Sequence, residues 1–176
     1  MPRRPIEVGG QQVLPGERQL VNLPLSALSN QTPMSVPVSV IHGRREGPTL
    51  FVSAAIHGDE LTGVAICRRL LGSRALRVAK GTLLMVPIVN AFGFISHSRY
   101  LPDRRDLNRS FPGSAKGSLA AQLANLFFTE VVARSDYGID LHSAAIHRSN
   151  LPQIRIDSDD EKAYELGRAF GAPIIV

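Results

Sequence analysis

The sequence contains a single cysteine and no apolar run near the ~20 residues needed to span a bilayer. A lone cysteine cannot form an internal disulfide. Cys67 falls within a helical apolar pattern, so we expect it to be a small buried side chain. The first residues are polar and lack the apolar core of a signal peptide. These absences predict a cytoplasmic protein with no membrane segment.

Lysine and aromatic side chains are also scarce, with three lysines and an aromatic content of 6%. The net charge of +5 comes mostly from scattered arginine pairs such as Arg44-Arg45 and Arg104-Arg105. Scattered charge with few rings offers no stacking platform for bases, so we do not expect nucleic acid as a partner. The planar fork of arginine suits carboxylates, which favours an anionic small molecule.

The hydrophobic pattern predicts one α/β domain over residues 1–176, in which residues 1–34 form an N-terminal strand and extension. Two strands are expected at residues 19–25 and 35–42, with a turn at residues 30–33 between them. Residues 49–89 then read as a βαβ unit with parallel strands and a right-handed crossover. Its parts are a buried strand at 50–56, a helix at 60–71 and a strand at 81–89.

The second half of the chain continues the alternation of strands and helices after a long connection. Residues 90–116 are rich in Pro, Gly, Arg and Asp and are predicted to be mostly loop, and loops of this length are often functional. The later elements are expected to be a helix from Leu119 to Val131, strands at 137–142, 154–156 and 173–176, and a helix at 159–170. No Gly-x-Gly-x-x-Gly or phosphate-loop motif supports nucleotide binding.

The stretch His57-Gly58-Asp59-Glu60 follows the buried strand at residues 50–56. A histidine and a carboxylate at the carboxyl end of such a strand can both face the crevice where α/β proteins bind ligands. The spacing is weak evidence by itself, because first-turn acids are common at helix N-termini. A metal site would need a third ligand from elsewhere in the chain.

Asp140-Leu141-His142 supplies that third group, with a histidine at the end of another predicted buried strand. His57, Glu60 and His142 would form a two-histidine, one-carboxylate set with a fourth position left for water, as in catalytic zinc sites. Either histidine alone would more simply be a core residue, but the set favours a metal. Asp140 is expected to support or line the site rather than to bind the ion.

The run from Asp106 to Gly113, together with the two histidine motifs in this order, resembles the succinylglutamate desuccinylase/aspartoacylase family, whose members are related to zinc carboxypeptidases. The resemblance covers roughly residues 35–176. It implies a zinc carboxypeptidase-like α/β fold with a mixed, largely parallel sheet and helices on both faces. It also implies hydrolysis of the amide bond of an N-acyl amino acid or a related acyl-amine.

The same resemblance implies one zinc ion per chain, held by His57, Glu60 and His142. Asn108 and Arg109 would bind the carboxylate of the substrate, and Arg99 would polarise the scissile carbonyl and stabilise the oxyanion. An amide beside a guanidinium offers suitable donors for that carboxylate.

Members of the family carry a general-base glutamate in a later segment than any seen in this sequence. Two glutamates follow His142, and their i, i+4 spacing at Glu161 and Glu165 is better explained by a solvated helix face. We therefore expect either an N-terminal fragment with little activity or a short protein that holds a metal without turnover. A homo-oligomer stays open, because a strand at the end of the chain could leave a sheet edge.

Two other functions stay open from the sequence. A carboxypeptidase-like metallopeptidase would use the same metal chemistry on a peptide. A non-enzymatic basic binding protein would use its histidines only for structure, and binding to nucleic acid that weakens steeply with salt would favour it.

Overall fold

The computed structural model describes residues 3–27 and 30–176. Within them, five strands form a mixed sheet in the spatial order β3-β4-β6-β5-β7. Those strands are β3 (Arg18–Ala27), β4 (Pro33–His42), β5 (Arg45–Ala54), β6 (Lys80–Val86) and β7 (Tyr137–Leu141). A small hairpin precedes the sheet, formed by β1 (Ile6–Val8) and β2 (Gln11–Val13).

The directions of the strands follow the prediction for residues 49–89. Strand β5 pairs in parallel with both β6 and β7, whereas β4 pairs antiparallel with β6 and with β3. The parallel core places the carboxyl ends of β5 and β7 at the same edge of the sheet. The predicted turn at residues 30–33 is partly replaced by strand, since β4 begins at Pro33, and residues 28 and 29 lie outside the described residues.

Helices cover both faces of the sheet, as expected. On one face, α3 (Leu119–Glu130) packs Leu123 and Phe127 with residues of β4 and β6 such as Val38 and Leu84. On the other face, α1 (Leu61–Gly72) packs Val64 and the fully buried Cys67 against β5 and β6. Burial of apolar side chains on both faces explains the nearly continuous apolar run at residues 50–56.

The long connection expected at residues 90–116 contains short helices. These are α2 (Ala91–Ser96) and a 3₁₀ helix at Leu107–Arg109; a further 3₁₀ helix follows α3 at Val132–Arg134. Asn90 accepts a hydrogen bond from the Gly93 N–H and so caps α2. The prediction of a loop here was wrong for α2, because its six residues are too few to display helical periodicity.

The described chain divides into two compact units, one ending at His142 and the other formed by Ser143–Val176. In the second unit, β8 (Gln153–Ile154) and β9 (Ile174–Ile175) form a separate parallel pair, joined by α4 (Glu161–Phe170). The later strands therefore do not extend the five-stranded sheet, although they follow the predicted order. None of the helices in residues 3–27 and 30–176 is long and apolar enough to cross a membrane.

Candidate functional site

The loop after β5 is held in place by the next connection of the fold. Where β5 ends, Ala55 adopts a positive φ of 51°, which turns the chain out of the sheet. The N–H of Val89 donates to the Ala54 oxygen, and the N–H of Asn90 donates to the Ala55 oxygen. The side chain of Asn90 is fully buried and donates to the Ile56 oxygen. These bonds set the position of the residue that follows, His57.

Gly58 permits a very close approach between this loop and α2. A Cβ at position 58 would lie 1.9 Å from the carbonyl carbon of Gly93, far inside any van der Waals contact. The Gly58 N–H also donates to the oxygen of Ser98 at 3.1 Å. The loop can adopt this path only because residue 58 lacks a side chain.

The structure brings His57, Glu60 and His142 together. One potential ligand atom from each of them lies within 4.8 Å of the other two. The Glu60 carboxylate sits between the rings, with Oε1 2.7 Å from His57 Nδ1 and Oε2 2.9 Å from His142 Nδ1. His57 and Glu60 are each only 3% exposed. The three side chains come from the carboxyl ends of neighbouring parallel strands and the start of α1.

A second carboxylate stands behind each histidine. His57 Nε2 lies 3.1 Å from Asp106 Oδ1, and His142 Nε2 lies 2.7 Å from Asp140 Oδ2. An ionised carboxylate only accepts hydrogen bonds, so each Nε2 carries the proton and donates it. Both Nδ1 atoms therefore face Glu60, in the carboxylate–histidine arrangement that orients metal ligands.

The chemistry of this donor set fits a zinc ion. With the protons on Nε2, the Nδ1 lone pairs of His57 and His142 face the lone pairs of the Glu60 oxygens at 2.7 and 2.9 Å. Lone pairs at that distance repel unless a proton or a cation lies between them. Two imidazole nitrogens and one carboxylate oxygen form the ligand set of a catalytic zinc site with an open position.

Without a metal, His142, which follows β7, binds its proton tightly. The hydrogen bond to Asp140, followed by that to Glu60, raises the pKa of His142 from 6.5 to about 10, although burial opposes the shift. For Asp106, burial raises the pKa, but the hydrogen bonds from Arg99 and His57 lower it more strongly, and its net pKa lies below 3.8. Asp106 is therefore ionised at neutral pH.

Arg99 reaches the cluster through Asp106. Its Nε and Nη2 both donate to one oxygen, Asp106 Oδ2, at 3.1 and 2.8 Å. Its Nη1 lies 3.3 Å from His57 Nδ1 and 3.9 Å from Glu60 Oε1. The positive charge of Arg99 is thus held beside the three converging ligand atoms.

Asn108 and Arg109 follow directly in the 3₁₀ helix and remain exposed. The backbone N–H of Asn108 donates to Asp106 Oδ1 at 2.9 Å, and the Arg109 guanidinium donates to the oxygen of Asn108. Neither side chain is thereby drawn into the cluster itself. The glutamates after His142, Glu161 and Glu165, are exposed on α4 of the second unit, as expected for a solvated face.

Sequence reasoning assigned no role to two residues of this network, Asp106 and Ser53. Asp106 begins the run that contains Asn108 and Arg109, and its place two residues before Asn108 was an available signal. Ser53 is the polar residue within the apolar run at 50–56 and donates to Asp140 Oδ1 at 2.7 Å. A polar residue inside a buried strand indicates a hydrogen-bond partner, but hydrophobic periodicity alone does not identify that partner.

The model of the succinylglutamate desuccinylase/aspartoacylase catalytic domain matches residues 46–176. The chain belongs to this family. It is 33% identical over 147 residues to the N-alpha-acetyl-L-2,4-diaminobutyric acid deacetylase of Halomonas elongata, covering 80% of this chain and 43% of the relative. The family and the carboxypeptidase-like fold predicted from the sequence are thereby confirmed.

Solved structures agree with that assignment. An aspartoacylase family protein from Mesorhizobium loti superimposes with a TM-score of 0.81 at 27% identity, covering 99% of this chain and 55% of that protein. A succinylglutamate desuccinylase/aspartoacylase from Rhodobacter sphaeroides gives 0.80 at 28% identity, covering 90% and 50%. The product-bound ectoine utilization protein EutE from Ruegeria pomeroyi gives 0.71 at 27%, covering 90% and 51%. The chain thus spans about half the length of these relatives.

Proposed function

We propose that this chain carries the zinc-binding part of a deacylase that hydrolyses the amide bond of an N-acyl amino acid or a similar acyl-amine. The convergence of His57 Nδ1, His142 Nδ1 and the Glu60 carboxylate is the observation that carries the proposal. Membership of the desuccinylase/aspartoacylase family supports the reaction class. The deacetylase from Halomonas elongata supports a small acylated amino acid as substrate.

In this proposal His57, Glu60 and His142 hold one zinc ion per chain. Zinc, when bound, polarises a carbonyl and lowers the pKa of a water molecule. Asp106 and Asp140 accept hydrogen bonds from Nε2 of the two histidines and so orient their Nδ1 atoms towards the ion. Because both carboxylates are occupied in this way, neither is placed to act as the general base.

Arg99 would stabilise the negative charge that develops on the carbonyl oxygen during attack. Asp106 holds its guanidinium beside the ligand atoms before any substrate binds, so little reorganisation is needed during the reaction. The exposed Asn108 and Arg109 would bind the carboxylate of the substrate, for which an amide and a guanidinium supply fixed donors.

The zinc content of the purified protein tests whether the chain binds the proposed metal ion. After treatment with chelator, reloading and dialysis, we expect the parent to retain about one zinc per chain by elemental analysis, as for a three-ligand site. His57→Ala and His142→Ala should each lose it. His97→Asn is the matched control, because His97 has a positive φ of 50° that asparagine tolerates and lies outside the cluster. A parent without zinc would contradict the proposal.

Substrate choice is tested on a panel of N-acetyl and N-succinyl amino acids beside peptides with free C-termini. We expect the chain by itself to hydrolyse the N-acyl amino acids poorly, because Asp106 and Asp140 are both bonded to the histidines and so are not placed as a general base, and the peptides no better. Rapid hydrolysis that a chelator abolishes would show that the chain does supply a general base. Preferential cleavage of the peptides would instead favour a metallopeptidase.

A further inference from the structure

We infer that Ser53 is a positioning residue of the metal centre, which fixes Asp140 and through it the ring of His142. The inference rests on the proposed function, because it concerns how strongly the His57, Glu60 and His142 cluster binds zinc. Ser53 would not touch the ion or the substrate.

The burial of Ser53 shows that its hydroxyl has a specific partner. Residues 50–56 are otherwise apolar, and Ser53 is fully buried within this run, where an unpaired hydroxyl would be costly. Its Oγ donates to Asp140 Oδ1 at 2.7 Å. In the parallel pairing of β5 with β7, Ser53 is the register partner of Asp140, so the two side chains lie side by side on one face of the sheet.

Asp140 uses its other oxygen for the histidine. His142 Nε2 donates to Asp140 Oδ2 at 2.7 Å, while Oδ1 accepts from Ser53. The two oxygens of one carboxylate thus have different partners, and rotation of the carboxylate about its Cβ–Cγ bond would break both bonds. A Ser53 anchor therefore restricts the direction in which Asp140 holds the His142 ring.

His142 needs such an anchor more than the other ligands do. The side chains of His142 and Asp140 are 34% and 32% exposed, against 3% for His57 and 5% for Glu60. Packing holds the latter pair, whereas the orientation of His142 depends mainly on hydrogen bonds. In the chain of bonds from Ser53 through Asp140 to His142, Ser53 is the fully buried end.

The partners of the two supporting carboxylates also differ in charge. Asp106 is paired with the Arg99 guanidinium, which offsets its negative charge. Asp140 receives a neutral hydroxyl at Oδ1, so its charge remains available to strengthen His142 as an electron donor. A hydroxyl orients the carboxylate without neutralising it.

Zinc affinity, measured by competition with a chromogenic chelator, tests the inference through two pairs of variants. Ser53→Ala removes the hydroxyl and should weaken zinc binding about tenfold or more, as the loss of outer-shell partners does in other sites. Ser53→Thr and Ser53→Val have nearly the same shape and differ in the hydroxyl. We expect the threonine variant to bind zinc close to the parent and the valine variant to be weakened like alanine.

Thr82→Val is the control for the loss of a buried hydroxyl. Thr82 is a buried residue of β6, and its Oγ1 is bonded to His42 Nδ1 and accepts a hydrogen bond from Arg3 Nη2, away from the zinc cluster. We expect this variant to lose stability in urea while its zinc affinity stays that of the parent. A role of Ser53 in stability alone would give the same result for Ser53→Ala.

Variants made in an Asp140→Asn background test whether Ser53 acts on zinc binding through Asp140. If Ser53 acts through Asp140, adding Ser53→Ala to Asp140→Asn should weaken zinc binding little further. Equal zinc affinity of the parent and of the alanine and valine variants would overturn the inference while leaving the proposed function intact. A parent that binds no zinc would overturn both.

Discussion

His142 is more exposed than His57 and Glu60, and it has a strong affinity for a proton. The hydrogen bonds to Asp140 and then to Glu60 raise its pKa to about 10 in the metal-free protein. Zinc and this proton compete for Nδ1, so zinc binding releases the proton and strengthens as pH rises. At the residue scale, the cluster is occupied either by protons or by a metal.

The pH dependence of metal-free stability follows from this shift. Because the pKa of His142 is raised on folding, its contribution is complete below about pH 6.5 and is lost as pH rises towards about 10. We expect the urea midpoint of the parent to fall over this window more than that of His142→Gln, which does not titrate. Parallel pH profiles of the two proteins would contradict the prediction.

At the scale of elements, the site depends on the contact between the loop after β5 and α2. Glu60 stands at the N-terminal boundary of α1, but its carboxylate is directed to the two histidines and does not cap the helix. The backbone of Gly58, in the loop after β5, lies directly against the backbone of Gly93 in α2. A short helix that periodicity could not reveal therefore supports the first two ligand residues.

Gly58→Ala should disrupt this contact. Its Cβ would lie 1.9 Å from the Gly93 carbonyl carbon, and the three nearest atoms, from Gly93 and Phe94, are all backbone atoms that cannot rotate away. We expect a loss of about 3 kcal/mol in the free energy of unfolding, at the upper end for overpacking, and weaker zinc binding.

Gly72→Ala is the matched control, since nothing lies within 4 Å of a Cβ at the end of α1. Alanine there should change the free energy of unfolding by less than about 1 kcal/mol. Urea titration followed by circular dichroism measures both variants. Equal free energies of unfolding for the two variants would show that the close contact of Gly58 with Gly93 does not matter for stability.

At the scale of the whole molecule, the cluster joins segments far apart in the chain but adjacent in the sheet. Glu60 and His142 are separated by 82 residues, yet His142 follows β7, which pairs directly with β5. All three proposed ligand residues belong to the unit that ends at His142. A metal should therefore act on the stability of that unit.

Zinc at a free concentration of 100 times its dissociation constant should stabilise this unit by about 2.7 kcal/mol, because the unfolded chain lacks the preformed site. We expect the melting temperature of the parent to rise on addition of zinc, as measured by circular dichroism. His142→Ala should melt at the same temperature with and without zinc. An equal rise in parent and variant would place the bound ion elsewhere.

Features of this protein that depend on short-range pattern could be predicted from its residues alone. Burial on both faces makes the run at residues 50–56 apolar, and His57 and His142 follow the ends of predicted strands. The parallel pairing within residues 49–89 and the candidate ligands could therefore be predicted. The family followed from the spacing of its motifs. Each of these depends on residues near one another in the chain or on the order of elements.

Which polar atoms meet depends instead on the packing of elements that are distant in the chain. The bond from Ser53 to Asp140 spans 87 residues and depends on the register of β5 with β7, and the contact of His57 with Asp106 spans 49. The separate pairing of β8 with β9 is likewise a matter of long-range packing. Hydrogen bonds require atoms placed to within a few tenths of an ångström, and local periodicity carries no information on such distances.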